Sequence, residues 1–282
     1  MFKLASWAES KVNWNTLSAN PKAIHVLERN PGKINWYELS GNCEAIHLIE
    51  QNLDRPLCWY NLSANPAALR LLEKNLNKII WSQLSSNPGA ISLLEKYPEK
   101  ISWGNLSLNP AAIHILEKNL DKVNWYMLSL NPAAIHLLEA NKDKVDWHAL
   151  SKNPAALHIL EKNLDKIDWS CLCMNRNPEV IPLLEANMDK VDWRWLSTNP
   201  EAIRILGENP GNIFLDQLHH NPKGSLILVN YMDEIDWYKM SGNPGIFEYD
   251  YDAMKDGKEV LGEELLAVCY HPDNFERFRE RV

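Results

Sequence analysis

Five histidines, His25, His47, His114, His136 and His158, each precede a glutamate by three residues, at Glu28, Glu50, Glu117, Glu139 and Glu161. On a helix that spacing sets imidazole and carboxylate on adjacent turns, where a pair could ligate Zn2+ or move a proton. The way the pattern repeats argues against both uses. The same position holds Arg70, Ser92, Pro182 and Arg204, and a site needs ligands converging on one point, whereas equivalent pairs on stacked helices lie about 10 Å apart. The pairs read as solvated helical contacts worth about 0.3 kcal/mol each, so His114-Glu117, His136-Glu139 and His158-Glu161 are expected to hold no zinc. Cys171 and Cys173 stand one residue apart with no second pair nearby and read as apolar filling. The sequence contains no P-loop, no GxGxxG, no HExxH and no nucleophile elbow. The expectation is a protein that is not an enzyme and has no catalytic residue, cofactor or metal.

The elements that carry these residues repeat. Trp recurs at 14, 36, 59, 81, 103, 125, 147, 169 and 193 and, after Leu215 takes its place once, at 237. Most steps are 22 residues, with one extra residue at Arg55-Pro56-Leu57 and two at Leu172 to Asn177. In the unit Val145 to Lys166, Asp146 can cap a first helix from Trp147 to about Lys152. Asn153 caps a second helix whose first position is Pro154, where a missing N–H costs nothing. Ten of eleven units carry this Asn-Pro pair, and Asn42-Cys43 keeps the cap without the proline.

In the second helix the apolar residues cover an arc of roughly 160° at about 100° per residue, too wide for one unit to bury alone. Asn30 and its equivalents follow the last turn, where a left-handed residue is expected. The predicted fold is therefore all-α, a right-handed α-solenoid of eleven 22-residue helix pairs over residues 12–249. Residues 1–11 are expected to cap one end and a helical segment over 250–282 the other. Units spaced 8–10 Å apart would make a rod or gentle superhelix of about 100 Å. The two residues added before Asn177, with Pro182 inside the second helix, predict a kink and a change of direction at the eighth unit.

Composition narrows the partners. The formal net charge is -8 and no polybasic tract occurs, which removes the usual footprint for nucleic acid or anionic lipid. No signal segment or run of 18 apolar residues is present, and the five cysteines lack framework spacing, so the expectation is a reduced, membrane-free compartment. Twelve Trp could suggest a base-stacking platform. Each Trp at the repeat position, however, is followed three residues later by an apolar residue, usually Leu, which places indole and leucyl groups on one inner helix face. The thirty Asn are explained by the cap at each second helix.

The unit W-x-x-L-S-x-N-P-x-A-I-x-L-L-E-x-N-x-D-K-I-D resembles the short tandem repeats of protein families in amoeba-infecting giant viruses, the mimivirus-like and marseillevirus-like groups. The resemblance spans nearly the whole chain, including Phe247-Glu248-Tyr249-Asp250-Tyr251, Gly262-Glu263-Glu264-Leu265-Leu266 and His271-Pro272. It implies a viral protein of the host cytoplasm or the virion and carries no family activity with it. Leu215 for Trp, Cys173 for Ser and Gly207 for Glu depart from the pattern.

Function is then sought where the repeat varies, in the two residues after each Trp. Tyr37, Tyr60, Tyr126, Trp195 and Tyr238 put amphipathic aromatics there, the types enriched in protein interfaces. That variation reads either as a binding face or as a tolerant surface. The leading reading is a binding or scaffold protein with a protein partner, and the second is a self-associating structural or virion component.

Overall fold

The computed structural model describes residues 2–249. It is an all-α protein of tandem helix pairs with regular contacts between neighbouring units. In one unit Asp146 accepts the Ala149 N–H at 2.8 Å and starts the first helix, Trp147–Lys152. In the unit before it, Pro132–Ala134 forms a single 3-10 turn that continues into the second helix, Ile135–Ala140. Helices of four to six residues are far too short to stand alone. What holds them is burial of the Leu three after Trp, the Ala two after Pro and the second-helix Leu. In successive units these are Leu106, Ala112 and Leu116, then Leu128, Ala134 and Leu138, all fully buried in one continuous core.

Two polar ladders run through that core. The Ser four residues after Trp donates to the Trp carbonyl, as Ser129 does to Trp125 at 2.8 Å, and accepts the backbone N–H of the residue before the next Trp, here Asp146 at 3.1 Å. The Asn before Pro caps its own second helix and clamps the previous unit as well. Asn131 Oδ1 accepts the Ala133 N–H at 3.0 Å, while its Nδ2 donates to the Ser107 and Asn109 carbonyls at 3.0 and 3.1 Å. Three bonds from one buried amide explain the Asn excess better than the cap alone. No buried side-chain N or O atom among the described residues is left unpaired.

The ladders do not end. Asn13 N–H donates to Ser241 Oγ at 2.7 Å, and Asn20 Nδ2 donates to the Ser241 carbonyl at 3.2 Å, bonds of the kind that join neighbouring units elsewhere in the stack. The first helix Trp14–Ser18 packs on Trp36–Leu39 on one side and on Trp237–Ser241 on the other. The stack is a closed ring rather than the expected rod, and the last unit seats the first. Residues 2–11 are a clasp over this seam and not an end cap. Strand β1, Phe2–Leu4, pairs antiparallel with β2, Phe247–Tyr249, which replaces the second helix of the last unit. Trp7 packs on Trp237 at 5.9 Å between ring centroids. This two-stranded ribbon departs from the helix-only expectation for residues 12–249. The helical segment expected over 250–282 lies outside the described residues.

Two further expectations are corrected and one is refined. Asn30, at φ -132° and ψ 55°, is not left-handed, and no described residue has positive φ. Its side chain instead donates to the Val26 carbonyl four residues back at 2.9 Å, supplying the N–H that the ended helix lacks. The Trp rings are half-buried on the core rather than enclosed by it, and the return-loop amines cover them, as Lys166 covers Trp147 at 4.7 Å. At the eighth unit the ladder keeps its phase. Asn175 takes the clamping position, with bonds of 3.0 Å to Ser151 and Asn153, and Arg176-Asn177 bulge outside it, Asn177 capping the next turn. Pro182 is the second residue of its helix, Ile181–Glu185, where no helical N–H is needed, so it adds no break inside the helix.

Irregular residues fit the same frame. At the Ser position of the tenth unit, His219 Nδ1 lies 2.6 Å from the Leu215 carbonyl and Nε2 is 2.9 Å from the Asp236 N–H. One imidazole thus makes both bonds of the missing hydroxyl, with the proton on Nδ1. His219→Ala should cost about 2–3 kcal/mol, because it strands the Asp236 N–H, removes one of two bonds to the Leu215 carbonyl and empties the volume of a buried ring. His219→Ser should recover most of that loss in urea unfolding, and equal losses for the two variants would refute the bridging role.

Candidate functional site

Ring closure decides which side is inside. Successive first helices approach within 8 Å, Cα to Cα, along their length, whereas the second helices stand further apart. Clefts open between second helices of neighbouring units, one of them ≈ 840 Å³ and lined by Glu28, Trp36, His47 and Arg55. In a closed ring the tighter row is the inner one. With about 8 Å between eleven helices of about 11 Å diameter, the opening is about 15–20 Å across. Its wall is the side of each first helix turned away from the core.

That wall is built of a recurring triplet. The residue after Trp in one unit meets the residue before Trp and the second residue after Trp in the next unit. Across successive junctions Gln83 Nε2 donates to Tyr60 Oη at 2.8 Å, Asn105 Nδ2 to the Ser82 carbonyl at 2.7 Å, and Ser170 Oγ to Asp192 Oδ2 at 3.1 Å. Lys239 pairs with Asp216, and across the seam Thr16 Oγ1 donates to the Tyr238 carbonyl at 2.8 Å. Frame positions repeat because the packing of every unit uses them in the same way, and the two residues after Trp vary because their contacts change from junction to junction.

Tyr37, Tyr60, Tyr126, Trp195 and Tyr238 all lie on this wall, between 36% and 59% exposed. They are distributed around the opening rather than gathered in one patch. Tyr37 and Tyr60 occupy adjacent units, and the Cys58 thiol beside Tyr37 raises the phenol above its usual range. Tyr126 stacks on His148 at 6.5 Å, and the Arg194 guanidinium lies 5.8 Å over Trp195.

The histidine-glutamate pairs follow a different geometry from the one their spacing implied. His136 bonds Glu117 at 2.8 Å, His158 bonds Glu139 at 3.1 Å and His114 bonds Glu95 at 3.0 Å, each reaching back to the preceding unit rather than along its own helix. Only His25 also meets its own-helix Glu28, at 3.2 Å. Glu28, hydrogen-bonded by His47 and His25, is held below the ordinary glutamate range. Arg204 reaches Glu185 in the same manner. The pairs are exposed rungs between second helices, and although His25 and His47 share Glu28, no three of their ligand atoms come close together among the described residues.

One junction brings together groups that sequence reading kept apart. His148 Nδ1 lies 2.8 Å from Asp168 Oδ2, and Cys171 Sγ lies 3.1 Å from the same nitrogen. Burial, helped by the Asp168 charge, pushes the Cys171 thiol up to about 11, and burial does the same to Cys173. For Asp168 burial acts upward, but hydrogen bonds from the Cys171 backbone and from His148 outweigh it and hold the carboxyl below the ordinary range. The triplet rule, read as separations of 20 and 23 residues, is the signal that would have found this group.

Comparison with known proteins supplies no relative: no protein-family model, curated protein or solved structure matches the chain. No helix among the described residues is long and apolar enough to cross a membrane.

Proposed function

We propose that this chain is a non-enzymatic scaffold that binds a protein partner through the wall of its opening, with Tyr37, Tyr60, Tyr126, Trp195 and Tyr238 as the principal contacts. The observation that carries the reading is the division of labour in each unit. Ladder residues repeat and are buried, while the adjoining wall positions change from unit to unit and present exposed aromatics. An opening of about 15–20 Å admits one extended or helical segment, since a helix with side chains is about 10–12 Å wide. Through its resemblance to giant-virus repeats, the proposal places the protein in the host cytoplasm, as an eleven-unit right-handed array.

A second reading is self-association, as a structural or virion component. The clefts between second helices on the outer rim support it, because they offer concave surface that ring closure does not use. In this reading copies join through lateral faces, since both ends of the stack are already consumed at the seam.

Affinity capture with the full chain from infected cells, paired with native mass measurement, separates the two. Partner recovery should fall at least about tenfold when Tyr37, Tyr60, Tyr126, Trp195 and Tyr238 are all changed to alanine, because interface aromatics contribute about 1–2 kcal/mol or more each. These exposed changes should leave folding intact. Unchanged recovery would remove the wall from the binding role, and a homo-oligomer without a partner would favour the second reading.

A further inference from the structure

Among the described residues one group of three metal-ligating side chains converges, at the junction of the seventh and eighth units. His148 follows Trp147, Asp168 precedes Trp169, and Cys171 stands two residues after Trp169. Their ligand atoms lie within 4.8 Å of one another. We propose that His148, Asp168 and Cys171 bind one divalent cation of the zinc class, with the fourth coordination position open to the ring's interior.

The donor set fits such an ion. Imidazole nitrogen, carboxylate oxygen and thiolate sulfur are the three protein ligands of Zn2+, and their charges with a neutral imidazole sum to zero around a dication. The spacing of the donor atoms is close to what tetrahedral coordination needs. Bonds of about 2.0–2.3 Å place neighbouring donor atoms about 3.3–3.7 Å apart. The nitrogen–oxygen separation of 2.8 Å is about half an ångström short of this, and Sγ, 3.1 Å from Nδ1 and 3.4 Å from Nε2, stands against the ring face, so coordination requires the exposed imidazole to turn until Nδ1 points between the oxygen and the sulfur.

The ligands are also oriented independently of any ion. Asp168 Oδ1 accepts the Cys171 N–H at 2.9 Å as the helix cap, which turns Oδ2 toward His148 and fixes the carboxylate as an outer partner would. Cys171 is 2% exposed whereas His148 is open to solvent, so the ion would sit between a fixed buried sulfur and water. The opposing group is Lys152, whose amine lies 3.5 Å from His148 Nε2. Its long stem lets the amine swing into solvent when a cation arrives. On coordination the Sγ–H bond breaks, the Sγ–metal bond forms and the proton leaves to bulk water.

No other junction repeats the set. Equivalent triplets are Ser82, Ser102 and Asn105, or Tyr126, Asp146 and Ala149, so the site is a property of one junction and not of the repeat.

Cobalt(II) added to the full chain tests the proposal. The expected result is a near-ultraviolet thiolate-to-cobalt band that saturates at one ion per chain and disappears when Zn2+ displaces the cobalt. Cys171→Ser should abolish the band. His148→Gln, at an exposed position, should weaken cobalt binding at least about tenfold through loss of one ligand of three. Cys173→Ser restores the usual ladder residue and should leave binding unchanged. Absence of a saturable band would overturn the site, as would a band that survives Cys171→Ser or an affinity that His148→Gln does not alter.

Discussion

Asn131→Ala should destabilise the protein by about 4 kcal/mol, far more than one surface amide is worth. The sum is a lost cap of about 1 kcal/mol plus about 1–3 kcal/mol for each buried group left without its partner. The Ala133 N–H loses its cap, the Ser107 carbonyl is stranded, and the Asn109 carbonyl loses one of its two bonds while keeping the Ala112 N–H. Asn141→Ala is the matched control, since Asn141 is half-buried and makes one bond, to the Leu137 carbonyl at 2.9 Å. Its loss should cost about 1 kcal/mol. Equal midpoint shifts in urea would remove the clamp from the account.

Asn131→Asp separates the two halves of the role. The carboxylate keeps the cap but turns an acceptor toward two carbonyls. A carboxyl so placed has its folded pKa raised above the unfolded value of about 3.9, because burial and the facing oxygens disfavour its charge. The protonated form donates one bond, so the variant should be severely destabilised at neutral pH. Relative to wild type it should recover as the pH falls through that raised value.

The sequence announces this unit because every constant residue bonds or packs in the same way each time. Trp, Leu, Ser, Asn, Pro and Ala recur at fixed offsets, and the helix bounds follow from the Asp146 and Asn153 caps. What these offsets cannot state is curvature. A rod and a ring use the same Ser and Asn bonds, and they differ by about 33° of rotation per junction, a full turn shared among eleven units. The cue to closure lies in two strand-like segments, Phe2 to Leu4 and Phe247 to Tyr249, which pair with each other across the seam.

The wall was legible in part for the same reason. Tyr37, Tyr60, Tyr126, Trp195 and Tyr238 stand out within a single unit, because nothing in the packing of that unit calls for them. His148, Asp168 and Cys171 do not stand out, since they belong to two units and meet only when the spacing between units is known. The histidine-glutamate pairs failed in the same way. Spacing along one helix pointed to His136 with Glu139, but stacking set His136 against Glu117 and His158 against Glu139.

Lys3→Cys with Glu248→Cys should form an intramolecular disulfide in the folded monomer and raise stability by about 5 kcal/mol. Lys3 and Glu248 are antiparallel partners in the ribbon, and their side chains meet at 3.7 Å. Directly opposed residues in such a ribbon have Cα atoms about 4.5–5.5 Å apart, within the span a disulfide accepts. The magnitude follows from chain entropy, because the bond closes a loop of nearly the whole described chain in the unfolded state. A loop of about 250 residues is worth about 5.5 kcal/mol in that treatment. A rod would leave the two cysteines about 100 Å apart, where only bonds between copies could form. Mass spectrometry of the oxidised protein at low concentration reads the outcome directly. A 3–248 crosslink in monomer, with thermal unfolding shifted upward and reversed by reductant, is the result expected of a ring. Crosslinks found only in dimers would open the ring and return the chain to a linear stack.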